Sequence, residues 1–179
     1  MEKSFVKWGL YLGLAAVILS FGLYMIDVTL MVSGWVSLIS YALIITFMIL
    51  SARQERSERD GYLTYGQAVI NSLGVSVIYT IITISFTGLL YNVIDPELPE
   101  TLKTITIERM ASTMESFGMA EADIDKAIEA TEARDFKQDF RALATGALVL
   151  IAINFVIGLI VSIFTRKNPP MFEANESEA

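Results

Sequence analysis

Four apolar blocks, none containing Asp, Glu, Lys or Arg, alternate with polar segments along the chain. They run over about residues 8–26, 30–50, 67–94 and 142–164. At 1.5 Å of rise per residue, a block of about 20 residues matches the roughly 30 Å hydrocarbon core of a bilayer. The pattern predicts an all-α integral membrane protein with four transmembrane helices. The polar segment 95–141 between the third and fourth spans is the one long enough to recognise something. In it Ile107, Met110, Met114 and Phe117 share a helical face, and Gly118 ends the run. Glu121, Ala122 and Asp123 open a second helix, with acids in the first turn where the helix dipole favours them, and Ile124 and Ile128 line its apolar side. An extramembrane helical hairpin is therefore expected between helices 3 and 4. Near Arg134 the stripe changes phase to Phe136, Phe140 and Leu143, so the fourth helix is expected to begin before the membrane. Pro96 and Pro99 are expected to break the helix that leaves the third span.

Within the spans, polarity concentrates in the third, which carries Gln67, Asn71, Ser72, Ser76, Thr80, Thr83, Ser85 and Thr87. Gln67, Asn71, Gly74 and Ile78 recur at helical spacing, which puts a small or polar stripe against other helices. Asn154 of the fourth span is the expected partner, so Gln67, Asn71 and Asn154 are candidate interhelical polar contacts. Gly9-x3-Gly13 lets two helices approach closely, and offers a face for self-association. The second span offers no chemistry. Asp27-Val-Thr-Leu predicts a tight hairpin between spans one and two, and the sign-alternating segment 51–61 predicts a helical extension capped at Gly61.

Charge adds orientation. Lys3 and Lys7 precede the first span, and the next basic residue is Arg53, followed by Arg56 and Arg59. The positive-inside rule then places both termini in the cytoplasm and the 95–141 loop in the periplasm, although Lys137 and Arg141 pull the other way. The first apolar block exceeds a signal-peptide h-region and no small-x-small site follows Tyr24, so it is expected to be retained. The net charge is -7, and twelve of the twenty acids fall between Asp95 and Asp139. With no basic stripe, nucleic acid is not an expected partner. The tail 168–179 is polar, acidic and expected to be flexible.

The absence of Cys and His removes thiol chemistry, the commonest general base and the usual zinc ligands. The loop carboxylates have no EF-hand spacing. No catalytic, cofactor or metal residue is expected, and none of the spans holds the ionisable group that a proton or ion path needs. An intramembrane hydrolase would have to use Asp27 and Asp95 as a dyad at one depth. A small oligomeric transporter or channel remains an alternative. The reading preferred is a non-enzymatic accessory component in contact with lipid and a membrane or periplasmic protein. Its candidate docking face is Met110, Met114, Phe117, Ile124 and Ile128, with self-packing of the hairpin as the competing reading.

Four short motifs also resemble a known family. Tyr65-Gly-Gln-Ala68 opens the third span and Tyr91-x-x-Ile-Asp-Pro96 leaves it. Glu115-x-Phe-Gly-Met-x-Glu-x-x-Ile124 and Arg166-Lys-Asn-Pro-Pro170 follow. Together they are similar to the bacterial membrane family labelled domain of unknown function 4199. The resemblance implies a multi-pass inner-membrane protein and transfers no activity. Ala120 stands where that family tends to place Ser or Thr, which removes a good N-cap from the second hairpin helix.

Overall fold

The computed structural model describes residues 3–133 and 139–169. These form α1 (Ser4–Ile26), α2 (Val28–Met31), α3 (Gly34–Ser57) and α4 (Tyr65–Leu89), the last continued by a π-helical turn (Leu90–Ile94). The chain goes on through α5 (Leu98–Ser116), α6 (Glu121–Glu132) and α7 (Phe140–Thr165). Four of these are long and apolar enough to cross a membrane: α1, α3, α4 with its π turn, and α7. The hairpin α5–α6 lies between the third and fourth, as the hydropathy pattern predicts.

Local capping chemistry shifts several helix ends from their expected places. α3 begins at Gly34 rather than near residue 30. Asp27 leaves α1 in an extended conformation and accepts the Thr29 N–H at 2.8 Å, which starts the one-turn α2. Pro99 opens α5 instead of breaking a helix, because a first-turn residue has no use for the missing N–H. The break falls at Asp95, whose Oδ1 accepts the Glu97 and Leu98 N–H groups at 3.2 and 3.1 Å. α3 extends past its apolar block to Ser57, and the chain reverses through Asp60 and Gly61 at φ 52° and 84°. α6 starts without a side-chain cap at Ala120. α7 starts at Phe140, with Asp139 accepting the Ala142 N–H at 2.7 Å. The phase change at Arg134 and Phe136, and the tail beyond residue 169, lie outside the described residues.

α4 is the hub on which α1, α3 and α7 pack. α1 and α4 run parallel in one register, with Phe5 against Gly74, Gly9 against Ile78 and Gly13 against Ile82. A Cβ on Gly13 would lie 2.5 Å from Ile82 Cδ1 and 2.9 Å from Ile82 Cβ. The expected self-association through Gly9 and Gly13 is therefore corrected. Both glycines are buried and used within the chain, because α4 already occupies the close approach they permit.

Leu63 and Lys167 form an antiparallel bridge with two N–H···O bonds of 2.8 Å, which ties the α3–α4 connection to the end of α7. This end of the bundle is the bridge face; the other, carrying α2 and α5–α6, is the hairpin face. Buried residues of the spans run from mid-helix to the bridge face: Ser4 to Gly13, Ile44 to Ala52, Ala68 to Thr80 and Asn154 to Thr165. Toward the hairpin face burial resumes with Leu90, Leu98 and Leu102, which pack with Tyr24, Val28, Met31 and Phe86.

Candidate functional site

Near the bridge face a hydrogen-bonded chain joins three helices. The Ser51 hydroxyl of α3 donates to Asn71 Oδ1 at 2.7 Å, and Asn71 Nδ2 donates to Ser4 Oγ of α1 at 2.8 Å. Ser4 donates in turn to Glu55, whose other oxygen accepts Arg59 Nε at 2.7 Å. Alongside it Trp8 Nε1 donates to Gln54 Oε1 at 2.8 Å. Bonds of this kind average about 0.6 kcal/mol each in membrane proteins, so the array fixes helix positions through several small contributions. Asn71 is thus an interhelical contact as expected. Its partners Ser4 and Ser51, and Glu55 beyond Ser4, were not legible, because the segment around Glu55 looked like a solvated, charge-balanced helix.

The other two amides behave differently. Gln67 is corrected from an interhelical contact to a local cap. Its Oε1 accepts the Thr64 N–H at 3.0 Å while Thr64 Oγ1 accepts the Gln67 N–H, a capping box that the Thr-x-x-Gln spacing could have revealed. Asn154 is 1% exposed, and its Nδ2 has no partner among the described residues. The expected link to the Asn71 stripe does not form, because α1 and α3 take both ends of the Asn71 amide. Ser72 Oγ and Thr80 Oγ1 on α4 are likewise buried without partners among the described residues.

The candidate docking face is divided. Ile124 is buried, Met110 Sδ accepts the Thr131 hydroxyl at 3.8 Å between α5 and α6, and Met114 and Ile128 are half-buried. Phe117 alone of the five stands out, 81% exposed, next to Gly118 at φ 71° and exposed Met119. Asp27 and Asp95, toward the hairpin face, also act as caps. Hydrogen bonds from the Thr29 side chain and backbone hold the Asp27 carboxyl below its ordinary pKa, helped by the Arg109 charge. Asp95 accepts the Tyr24 hydroxyl at 3.2 Å besides its backbone donors. Among the described residues no three His, Cys, Asp or Glu side chains gather as a metal site would require.

A half-open cleft of about 220 Å³ lies between α1, α3 and α4, on the hairpin side of the tight packing. Five hydroxyl-bearing residues line it: Ser20, Ser40, Tyr79, Thr83 and Thr87. Sequence reasoning missed it. The Thr83–Thr87 spacing was a partial signal, but Ser20 and Ser40 sit singly in apolar blocks and meet only in the fold.

Four apolar spans, three of them packed on a hub helix whose buried face is polar, make this chain a multi-pass helical membrane protein. It belongs to the family described as protein of unknown function (DUF4199), whose model matches residues 7–167. The match covers the segments Tyr65–Ala68, Tyr91–Pro96 and Glu115–Ile124 that carry the resemblance. No curated protein and no solved structure matches the chain.

Proposed function

We propose that the protein is a non-enzymatic accessory component of a bacterial cytoplasmic membrane, engaging a membrane or periplasmic protein through the tip of the α5–α6 hairpin. The observation that carries this reading is Phe117, exposed beside Met119 on a turn that Gly118 fixes. Burying a Phe side chain is worth about 1.5–3 kcal/mol. Aromatic anchors of this kind dominate interface energetics, and a neighbouring Met adapts to varied surfaces. The rest of the hairpin's apolar face is occupied by the hairpin itself, so the recognition surface contracts from five residues to the tip. The basic residues Lys3, Lys7, Arg53, Arg56, Arg59, Arg166 and Lys167 support a cytoplasmic bridge face and a periplasmic hairpin.

The test places a photoreactive benzoylphenylalanine at Phe117 or at Ile124 in native membranes. The expected result is a discrete protein adduct from position 117, none from position 124, and loss of the co-purifying protein in Phe117→Ser/Met119→Ser. Adducts with lipid alone from both positions would sink the reading. Because the chain has no Cys, Ser116→Cys labelled by an impermeant maleimide from outside the cell checks the orientation separately.

A further inference from the structure

We propose that the cleft between α1, α3 and α4 binds the oxygen-bearing head of an uncharged amphiphile within the hydrocarbon layer. Ser20 of α1 and Ser40 of α3 each lie six residues from the hairpin-face end of their helix, Ile26 and Gly34. At 1.5 Å per residue the site is about 9 Å inside that end, below the depth of charged lipid headgroups. Its lining contains no ionisable Asp, Glu, Lys or Arg, so nothing there compensates a phosphate or an ammonium.

The hydroxyls are supplied from three helices. Ser40 donates to the Val36 carbonyl at 2.8 Å and Thr83 to the Tyr79 carbonyl at 3.0 Å, which leaves their oxygens to accept. The side-chain hydroxyls of Ser20, Tyr79 and Thr87 make no hydrogen bond within the described residues and can donate. In hydrocarbon, unlike water, such donors find partners only in protein or in a bound molecule. A ligand carrying carbonyl or hydroxyl oxygens satisfies both sets at once.

The remaining walls are aliphatic, including Leu12, Ala16, Leu43 and Ile44. Leu12 and Ile44 belong to the buried core, with Tyr79 packed against it, so the floor of the cleft is held in place before anything binds. The volume is smaller than the roughly 300 Å³ at which sites begin to enclose a whole drug-sized molecule. It suits a head group whose hydrocarbon leaves through the open side.

The full chain in proteoliposomes tests this with three diazirine probes: a diacylglycerol, an isoprenoid alcohol and a phosphatidylglycerol. Capture of either neutral probe on peptides containing Ser20, Ser40 or Thr87, displaced by unlabelled competitor, is the expected result; which probe is captured identifies the source of the neutral oxygen. Ala16→Phe, which fills the cleft, should abolish that capture. Ser20→Ala, which leaves the packing intact, should weaken it about fivefold, the loss of roughly one hydrogen bond. Equal capture of phosphatidylglycerol, adducts spread over the lipid-facing surface, no displaceable adduct with any probe, or capture unchanged by Ser20→Ala would each overturn the assignment.

Discussion

The bridge half and the hairpin half of this bundle are built from the same four helices by different means. In the bridge half α1 meets α4 through Gly9, Gly13 and Gly74, and α7 meets α4 through Gly158, where an added Cβ would lie 3.1 Å from Ser72 Cβ. Beyond mid-span the α1–α4 contact passes through rings, with Phe21 and Phe86 centroids 6.3 Å apart and nearly perpendicular. Lipid tails are as apolar as Leu, so helices in a membrane gain little from hiding apolar surface from one another. Close packing and interhelical hydrogen bonds must hold them together, and both are concentrated in the bridge half. The hairpin half is free to leave a cleft and to present a loop.

The largest effect that would break this comparison is a glycine substitution. Gly13→Leu places a side chain where even a Cβ meets Ile82 Cβ at 2.9 Å, and overpacking of this kind costs typically 1–3 kcal/mol, occasionally more. Gly22 lies on the same helix in the hairpin half, with nothing among the described residues within 4 Å of its Cβ position. Gly22→Leu should change stability by less than about 0.5 kcal/mol. Unfolding of both variants in bicelles decides the matter. Equal losses would mean that the two halves are equally tight and that the division is wrong.

A smaller contrast separates the two buried asparagines. Asn71→Leu removes two interhelical hydrogen bonds and leaves Ser4 and Ser51 without those contacts, a loss of about 1–3 kcal/mol. Asn154→Leu removes an amide whose Nδ2 is buried without a partner among the described residues, so it should be neutral or stabilising. If Asn154→Leu proves as damaging as Asn71→Leu, α7 is joined to the polar network by contacts other than those described.

These two residues also mark how far the sequence could be followed. Uninterrupted apolar runs and helical periodicity are local properties, so the four spans, the hairpin and the interhelical role of Asn71 were all legible. Partner choice is not local. Gly9-x3-Gly13 signals close approach without saying to which helix, and Asn154 could not be matched until the two ends of the Asn71 amide were assigned. Gln67 failed for a different reason: a helix-capping spacing competed with the polar stripe, and the cap prevailed because Gln67 stands in the first turn of α4. The cleft was the least legible feature, since its hydroxyls come from three separate spans and their meeting depends on where α3 lies relative to α1 and α4.

The smallest predicted effect belongs to the hairpin face and is read through pH. Asp27 has its carboxyl pKa depressed below the ordinary 3.8 by the Thr29 hydrogen bonds first, with a lesser contribution from Arg109 on α5. A depressed folded-state pKa means that the folded form binds the proton less readily than the unfolded one. The resulting stabilisation is fully present above the unfolded carboxylate value and is lost as pH falls through the folded one. Asp27→Asn keeps a side chain able to cap α2 and removes the titration. The variant should therefore be slightly less stable than the wild type near neutral pH, and because it lacks the part of the decline below pH 3.8 that Asp27 causes, the two proteins should converge in acid. Acid unfolding curves of the two proteins, superimposable at every pH, would show instead that the Asp27 charge does not stabilise the fold through its Thr29 hydrogen bonds.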